Sequence, residues 1–456
     1  MGMGVILAAG MLAGCSSGGD SAETTAAAAA DTTAAAASGD TEAAEEGSGE
    51  AITLRFVSWQ SNHAEGDQRI VDAWEAEHPD IQVEIEYLGD MNSNDYLQKT
   101  DLMLMGGEEI DIMMSPSIQA MAVRAASGSY LPLDEYFEAE GLAPEDAYDI
   151  VVRNDEQVYS IFSDIRYNNV ILINKDMLEA AGLSMPDQNW TWDDYREYAI
   201  AMTQGTGANT IYGSYIHSWG NQNLLGVYCA KPDNAFFNDD GSLTFGNPEF
   251  RDFLQYRYDL ENVDKASTPL ADVKALNMNY RDQFFSGKIA MLPMGTNLLS
   301  DVGNEIYAHD FVTAYAPCPL WNADDTRYNS VGGIYYHIAK TSAHPQEAFE
   351  FLRFWTTEGV PLKAMFTSNE KGVDKMESTK AIVAGFEDLV DLESLEALME
   401  NPDGVETYDS FAPEYQSQIE TVLNEETDKF LLGSQSLDDT INNLLTRGNE
   451  IIEENQ

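Results

Sequence analysis

From Ile52 onward, the order of apolar and polar residues divides the chain into short strands separated by amphipathic helices. Ile52-Thr53-Leu54-Arg55-Phe56-Val57 reads as a strand that ends at Ser58-Trp59-Gln60. Ile70, Ala73, Trp74 and Glu77 then recur at helical spacing, and His78-Pro79 stops the helix. Ile81, Val83, Ile85 and Tyr87 alternate with Gln82, Glu84 and Glu86, which predicts a half-buried strand. Strand, helix, strand is a parallel crossover unit, and ligands in such sheets collect beyond the strands' carboxyl ends. The segment Ser58 to His63 sits there. A second helix, with Tyr96, Thr100, Met103 and Leu104, leads to a short strand over Asp111 to Met114, whose equivalent end carries Ser115-Pro116-Ser117.

The rest of the chain repeats the alternation. Thr191 can cap a helix with Asp194 three residues on, burying Trp192, Tyr195, Ala199 and Met202 on one face. Asn247-Pro248 opens a helix that buries Phe250, Phe253, Leu254 and Tyr258. Pro345 opens another, with Ala348, Leu352 and Trp355 inward, and Leu437, Ile441, Leu444 and Ile451 mark a closing helix. Asn238-Asp239-Asp240-Gly241 reads as a turn before a strand at Leu243 to Phe245. Ile289 to Leu292 is an apolar strand. Helices between short apolar strands give an α/β class.

The pattern before Ile52 is different. Met3 to Met11 is short and apolar, Leu12-Ala13-Gly14-Cys15 follows, and the chain turns polar at Ser16-Ser17-Gly18. That is the form of an export signal, and a Cys at the step resembles the lipobox of bacterial lipoproteins. The resemblance implies that residues 1–14 are a signal peptide, cut so that a lipidated Cys15 comes first. Two acyl chains there would anchor the protein to the outer face of the bacterial cell membrane. No Lys or Arg precedes Arg55, so the usual basic start of a signal is missing and the natural start is expected further upstream. Residues 16–50 hold almost only Ala, Thr, Ser, Gly, Glu and Asp; they cannot bury enough surface to fold and read as a disordered acidic tether. Its mean reach would be roughly 30–35 Å. Gly14 to Gly18 matches the G-x-S-x-G hydrolase pattern by accident, with no strand before it and no helix after.

Charge narrows the partners. Against 24 Lys and Arg stand 78 Asp and Glu, a net charge of -54, which repels nucleic acid and anionic headgroups. Cys229 and Cys318 are too far apart in sequence for a metal spacing, and equally consistent with a pair or with two isolated thiols.

An ordered set of pieces then becomes specific. Val158-Tyr159-Ser160-Ile161-Phe162, Asn174-Lys175-Asp176-Met177-Leu178, Thr191-Trp192-Asp193-Asp194, Phe284-Phe285-Ser286-Gly287-Lys288, Val331-Gly332-Gly333 and Pro345-Gln346-Glu347-Ala348-Phe349 follow one another in a familiar order. The run resembles the family 1 extracellular solute-binding proteins, the carbohydrate receptors of bacterial ABC importers. The resemblance implies a two-lobed, periplasmic-binding-protein-like fold of type II, with a cleft between lobes joined by crossover strands. Lobe one is then expected over 51–163 with about 331–405, and lobe two over 164–330 with about 406–456. It further implies a monomer that delivers a carbohydrate to ABC permease subunits, without enzymatic activity, cofactor or metal.

A sugar is a ring of hydroxyls with apolar C–H faces, so its site needs aromatic plates and planar polar side chains. The candidate plates are Trp59, Tyr167, Tyr215, Trp219 and Tyr335; Gln60, Asn62, His63, Ser115, Ser117, Asp164, Arg166, Asn221 and Asn223 are the polar edges. Met294-Gly295 and Gly332-Gly333 match the family's cleft loop and crossover. A platform at Trp59 would be partly exposed in the empty protein, whereas Trp74 faces inward. Two rival readings stay open: a surface lipoprotein hydrolase of glycans, since 78 acids always allow a carboxylate pair, and the same fold binding a polyamine, peptide or glycerophosphate.

Overall fold

The computed structural model describes residues 51–88, 93–154, 156–230, 234–400, 405–407, 413 and 415–455. The signal segment, Cys15 and the tether lie outside them. Strands β1 (Ile52–Ser58), β2 (Ile81–Tyr87) and β3 (Ile112–Ser115) run parallel in the order β2-β1-β3, as the crossover units predict. Two further strands complete this first sheet, β4 (Ile161–Tyr167) and the eleven-residue β9 (Tyr328–Ile338). β9 runs antiparallel to β3 through Tyr335–Ile338 and antiparallel to β4 along its other edge. A short β10 (Val405–Thr407) pairs with the start of β9. The second sheet has the order β6-β7-β5-β8, from β5 (Val170–Asn174), β6 (Tyr212–Ser214), β7 (Ile289–Met294) and β8 (Thr313–Ala316).

The two sheets are joined where β4 ends and β5 begins, with only Asn168-Asn169 between them. Asn169 takes the left-handed conformation (φ 57°), which Asn tolerates better than most residues. A β-bulge interrupts β4 just before this crossing: Ser163 opposes Ile334, yet Arg166 opposes Gly332. Asp164 supplies the extra length at φ 55°.

Helices cover the sheets as their sequence signals indicate. Thr191 and Asp194 form a reciprocal capping box at the head of the helix Trp192–Met202. The helix Pro345–Thr356 buries Ala348, Leu352 and Trp355, the last packed edge-on against Phe56 at 5.0 Å. The helix Pro248–Tyr258 buries Phe250, Phe253 and Leu254, but Tyr256 and Arg257 are inward rather than Tyr258. The two final helices, Gln416–Leu431 and Leu437–Glu454, pack on each other and on that helix. One expectation is corrected: Leu243 to Phe245 is a single bridge at Leu243 followed by a 3₁₀ turn. The partner segment is too short to build a ladder, because Gly241 turns the chain (φ 80°) directly ahead of it. Cys229 and Cys318, which spacing left open, form a disulfide with Cα atoms 6.5 Å apart. Among the described residues no helix is long and apolar enough to cross a membrane.

Candidate functional site

A cavity of about 460 Å³ opens between the two sheets at the crossover. Each side is built from ends of elements. The carboxyl end of β1 delivers Trp59 and Gln60, and the 3₁₀ turn Ser61–His63 adds Asn62 and His63. β4 brings Arg166, the crossing brings Asn168 and Asn169, and β9 brings Ser330. From the second sheet's side come Trp219, Asn221 and Gln222 around the 3₁₀ turn Gly220–Leu224, and Tyr280 and Arg281 at the head of a short helix. The end of β7 contributes Met294, and Gly295 and the two short helical turns after it contribute Asn297, Ser300 and Asp301.

The two indoles on the cavity are held very differently. Trp59 is only 7% exposed and packs against Tyr96 at 5.1 Å, so it is a wall rather than the partly exposed plate expected of it. Trp74 is buried as expected. Trp219 is 46% exposed. Its ring is propped edge-on by His217 at 4.5 Å and by Tyr280 at 5.4 Å, so an aromatic face stays presented to the cavity without collapsing.

Among the described residues, five buried polar atoms on this lining have no hydrogen-bond partner: Gln60 Oε1, His63 Nδ1, Asn169 Nδ2, Asn221 Oδ1 and Gln222 Oε1. Native structures leave few such atoms, since each costs about 1–3 kcal/mol. Their convergence on one cavity marks it as built for a polar guest. A larger cavity of about 540 Å³ beside β6 holds only Thr268 Oγ1 of this kind among its described lining, and it touches only second-sheet elements. Burial, aided by the Lys363 ammonium, pushes His63 down to about 2, so its imidazole is neutral. Arg281 donates to Asp301 at 2.7 Å, which leaves that pair neutral as a whole.

A layer of fully buried charge lies behind each wall. Behind the β1 wall, Lys363 Nζ donates to Asp164 Oδ2 at 3.0 Å and lies 3.3 Å from Asp67 Oδ1; Tyr336 and Tyr87 donate to the same two carboxylates. Burial raises Asp67 above the usual carboxylate range. For Lys363, burial works downward, but Asp164 and Asp67 prevail and raise it. Behind the Trp219 wall, Arg257 donates to Glu261 at 2.7 Å, to Asn223 Oδ1 at 2.8 Å and to the Ile216 carbonyl at 3.0 Å.

Several candidate residues therefore serve the frame and not the lining. Ser115 is buried between Tyr130 and His337, and Ser117 caps the helix Ile118–Ala126. Asp164 and Asn223 belong to the buried charge layers just described. Tyr215 hydrogen-bonds His217 at 2.8 Å, and Tyr167 and Tyr335 are buried in the core. Gly332 and Gly333 leave room for the crossing: a Cβ on Gly333 would lie 2.5 Å from the Ser163 carbonyl, and one on Gly332 would lie 2.6 Å from the Asn168 amide.

The cavity also recruits residues that the sequence did not single out. Asn168-Asn169 form the crossing itself, and Asn297, Ser300 and Asp301 lie on the two short helical turns that follow Met294-Gly295. Gln222 lies in the aperiodic aromatic-and-amide stretch with Trp219, Asn221 and Asn223, whereas Tyr228, Tyr280, Arg281, Ser330 and Phe366 had no local signal. Phe366 reaches the site only because the chain after the helix Gly359–Lys363 returns to His63, ring to ring at 5.4 Å.

Two sheets, a two-strand crossing and a polar cavity between them define a two-lobed binding protein. The chain belongs to the bacterial extracellular solute-binding proteins, whose family model matches residues 60–360; it acts outside the cytoplasm. It is 23% identical over 321 residues to the arabinooligosaccharide-binding protein of Bacillus subtilis, covering 67% of this chain and 69% of that protein. An uncharacterized lipoprotein of Streptomyces antibioticus is also 23% identical, over 66% of each chain. An ABC substrate-binding protein of Listeria monocytogenes in complex with cycloalternan has the same fold, with a TM-score of 0.71 and 19% identity over 88% of this chain and 98% of that one.

Proposed function

We propose that this protein captures a sugar or oligosaccharide between its lobes and delivers it to an ABC importer without altering it. The observation that carries the reading is the pairing of five unpartnered buried polar atoms with one exposed, propped indole in a single cavity. The amide groups suit hydroxyl edges and Trp219 suits the apolar face of a sugar ring. The relatives that bind arabinooligosaccharides and cycloalternan support the same class. Lobe one would comprise 51–163 with about 331–405 and lobe two the remainder of the folded chain. The helix Leu392–Glu400, which packs on β8, would then bridge them.

A thermal-shift screen over neutral and acidic oligosaccharides, polyamines, peptides and glycerophosphodiesters tests the ligand class. A sugar at 100 times its Kd should add about 2.7 kcal/mol of stability. Stabilisation by an amine or a peptide alone would replace the sugar reading, and steady release of product from any oligosaccharide would replace the receptor reading with a hydrolase. For the anchor, we propose lipidation of Cys15. The variant Cys15→Ser should leave the membrane fraction while binding as before; its retention there would point to another anchor.

A further inference from the structure

Arg166 is the exception among the arginines. The sequence has twelve, and each of the other eleven donates at least one hydrogen bond to a described residue. In a chain with 78 carboxylates, a guanidinium that bonds none of the described ones is a departure from the pattern. Arg166 stands half-buried on the cavity, two residues past the β4 bulge, and makes no hydrogen bond or ion pair with any described residue. Its nearest acid in sequence, Asp164, has Oδ2 engaged by Lys363 and Tyr336, and its Oδ1 makes no hydrogen bond to Arg166 or to any other described residue. Burial depresses the guanidinium, and Asp164 offsets this only in part.

The charges facing the cavity can be added. Arg281 and Asp301 cancel, and His63 is neutral. Arg166 remains. Neutral hydroxyls could occupy its donors but would leave its charge offset only in part, by Asp164, once the lobes close and exclude water, a costly state for a buried ion. A carboxylate satisfies both demands, because the planar fork of the guanidinium matches its two oxygens.

Resting on the sugar-receptor reading above, we propose that the ligand is an acidic saccharide whose carboxylate is taken by Arg166, with Trp219 against the ring and the amides on its hydroxyls. Arg166 is thus the specificity-determining residue of the site. The acidic surface does not oppose this, since distant exposed charges are screened beyond about 8–10 Å at physiological salt.

The test is calorimetric titration of the full-length protein with matched pairs: digalacturonate against galactobiose, and cellobiouronate against cellobiose. Maltotriose and glycerophosphocholine complete the panel. The acidic member of a pair should bind roughly 10- to 100-fold more tightly than its neutral partner, and Arg166→Gln should bring the two within about threefold. Equal or tighter binding of the neutral members, or of maltotriose, overturns the acidic ligand and leaves the sugar receptor standing. Binding of glycerophosphocholine alone, or of nothing in the panel, overturns both. A second readout needs no ligand. Removing an unpaired, half-buried charge should leave the melting temperature of the empty Arg166→Gln protein unchanged or raise it by about 1–3 °C. A fall of several degrees would make Arg166 a structural residue and sink the proposal.

Discussion

The two walls of the cavity are made of the same kinds of residue and are built in opposite ways. On the β1 side, Trp59 and His63 are packed and almost fully covered, and the charge layer behind them keeps Asp67 Oδ1 and Asp164 Oδ1 without hydrogen bonds. On the other side, Trp219 is exposed, while the charge layer behind it is closed: every guanidinium nitrogen of Arg257 has an acceptor, and Glu261 also accepts from the Leu270 amide. The contrast teaches where adaptability is placed. One wall is tight at its surface and loose underneath; the other is open at its surface and braced underneath. An exposed aromatic ring can serve as a plate only if what holds it does not move.

The sharpest way to break this comparison is at the brace. Arg257→Met should cost about 3–5 kcal/mol, because Glu261 is left buried without its cation. The double variant Arg257→Met with Glu261→Gln should recover most of that in urea unfolding. A single variant that melts normally would show that the second wall needs no brace. Nearly as large, Trp59→Ala should cost about 3–5 kcal/mol, as expected of a packed ring. A loss below 1 kcal/mol would return Trp59 to the role of an exposed plate.

The next effect is on acid stability. Burial, with help from Arg257, depresses His217 to about 4, below the value of about 6.5 it has when unfolded. Between those values the unfolded chain takes up a proton and the folded one does not. Stability is therefore fully present above pH 6.5 and is lost as pH falls toward 4, by about 2–3 kcal/mol from this residue. His217→Gln should flatten the acid limb of a urea-midpoint profile by that amount; an unchanged slope would mean that the His217 prop titrates normally. The smallest effect is the most specific. Trp219→Ala should change stability by less than about 1 kcal/mol and weaken sugar binding by roughly 1–3 kcal/mol, about 5- to 150-fold. Unimpaired binding would remove the plate from the site.

The same contrast explains what could be read from the sequence. The first wall was legible because it is local: β1 has a clear apolar pattern, its carboxyl end is a place where crossover sheets gather ligands, and Trp59 to His63 follow it directly. Arg166 was legible through the position of the crossover. Trp219 and Asn221 showed themselves by mixing aromatic and amide groups without any period. Tyr280, Arg281 and Phe366 did not, since nothing at their positions reports a contact made across the chain. Tyr167, Tyr215 and Tyr335 lie beside the site in sequence yet are core, because burial of an aromatic depends on which face of its strand looks outward. Ser115 has the right strand end but a side chain turned toward His337.

That dependence on facing gives the β4 bulge a further meaning. Side chains on a strand alternate like beats of two, and β9 keeps the count unbroken past Ile334 and Gly332. Ile161 and Ser163 keep step with it; the surplus residue at Asp164 then resets the beat, so that Arg166, and not Ile165, falls opposite Gly332. The surplus acts as a frameshift written in structure instead of in code. Were the surplus not absorbed there, so that Ile165 paired with Gly332, composition and length would be unchanged, yet every side chain from there to the crossing would exchange its inside for its outside. The charge now offered to a guest would face the apolar interior, and an isoleucine would take its place.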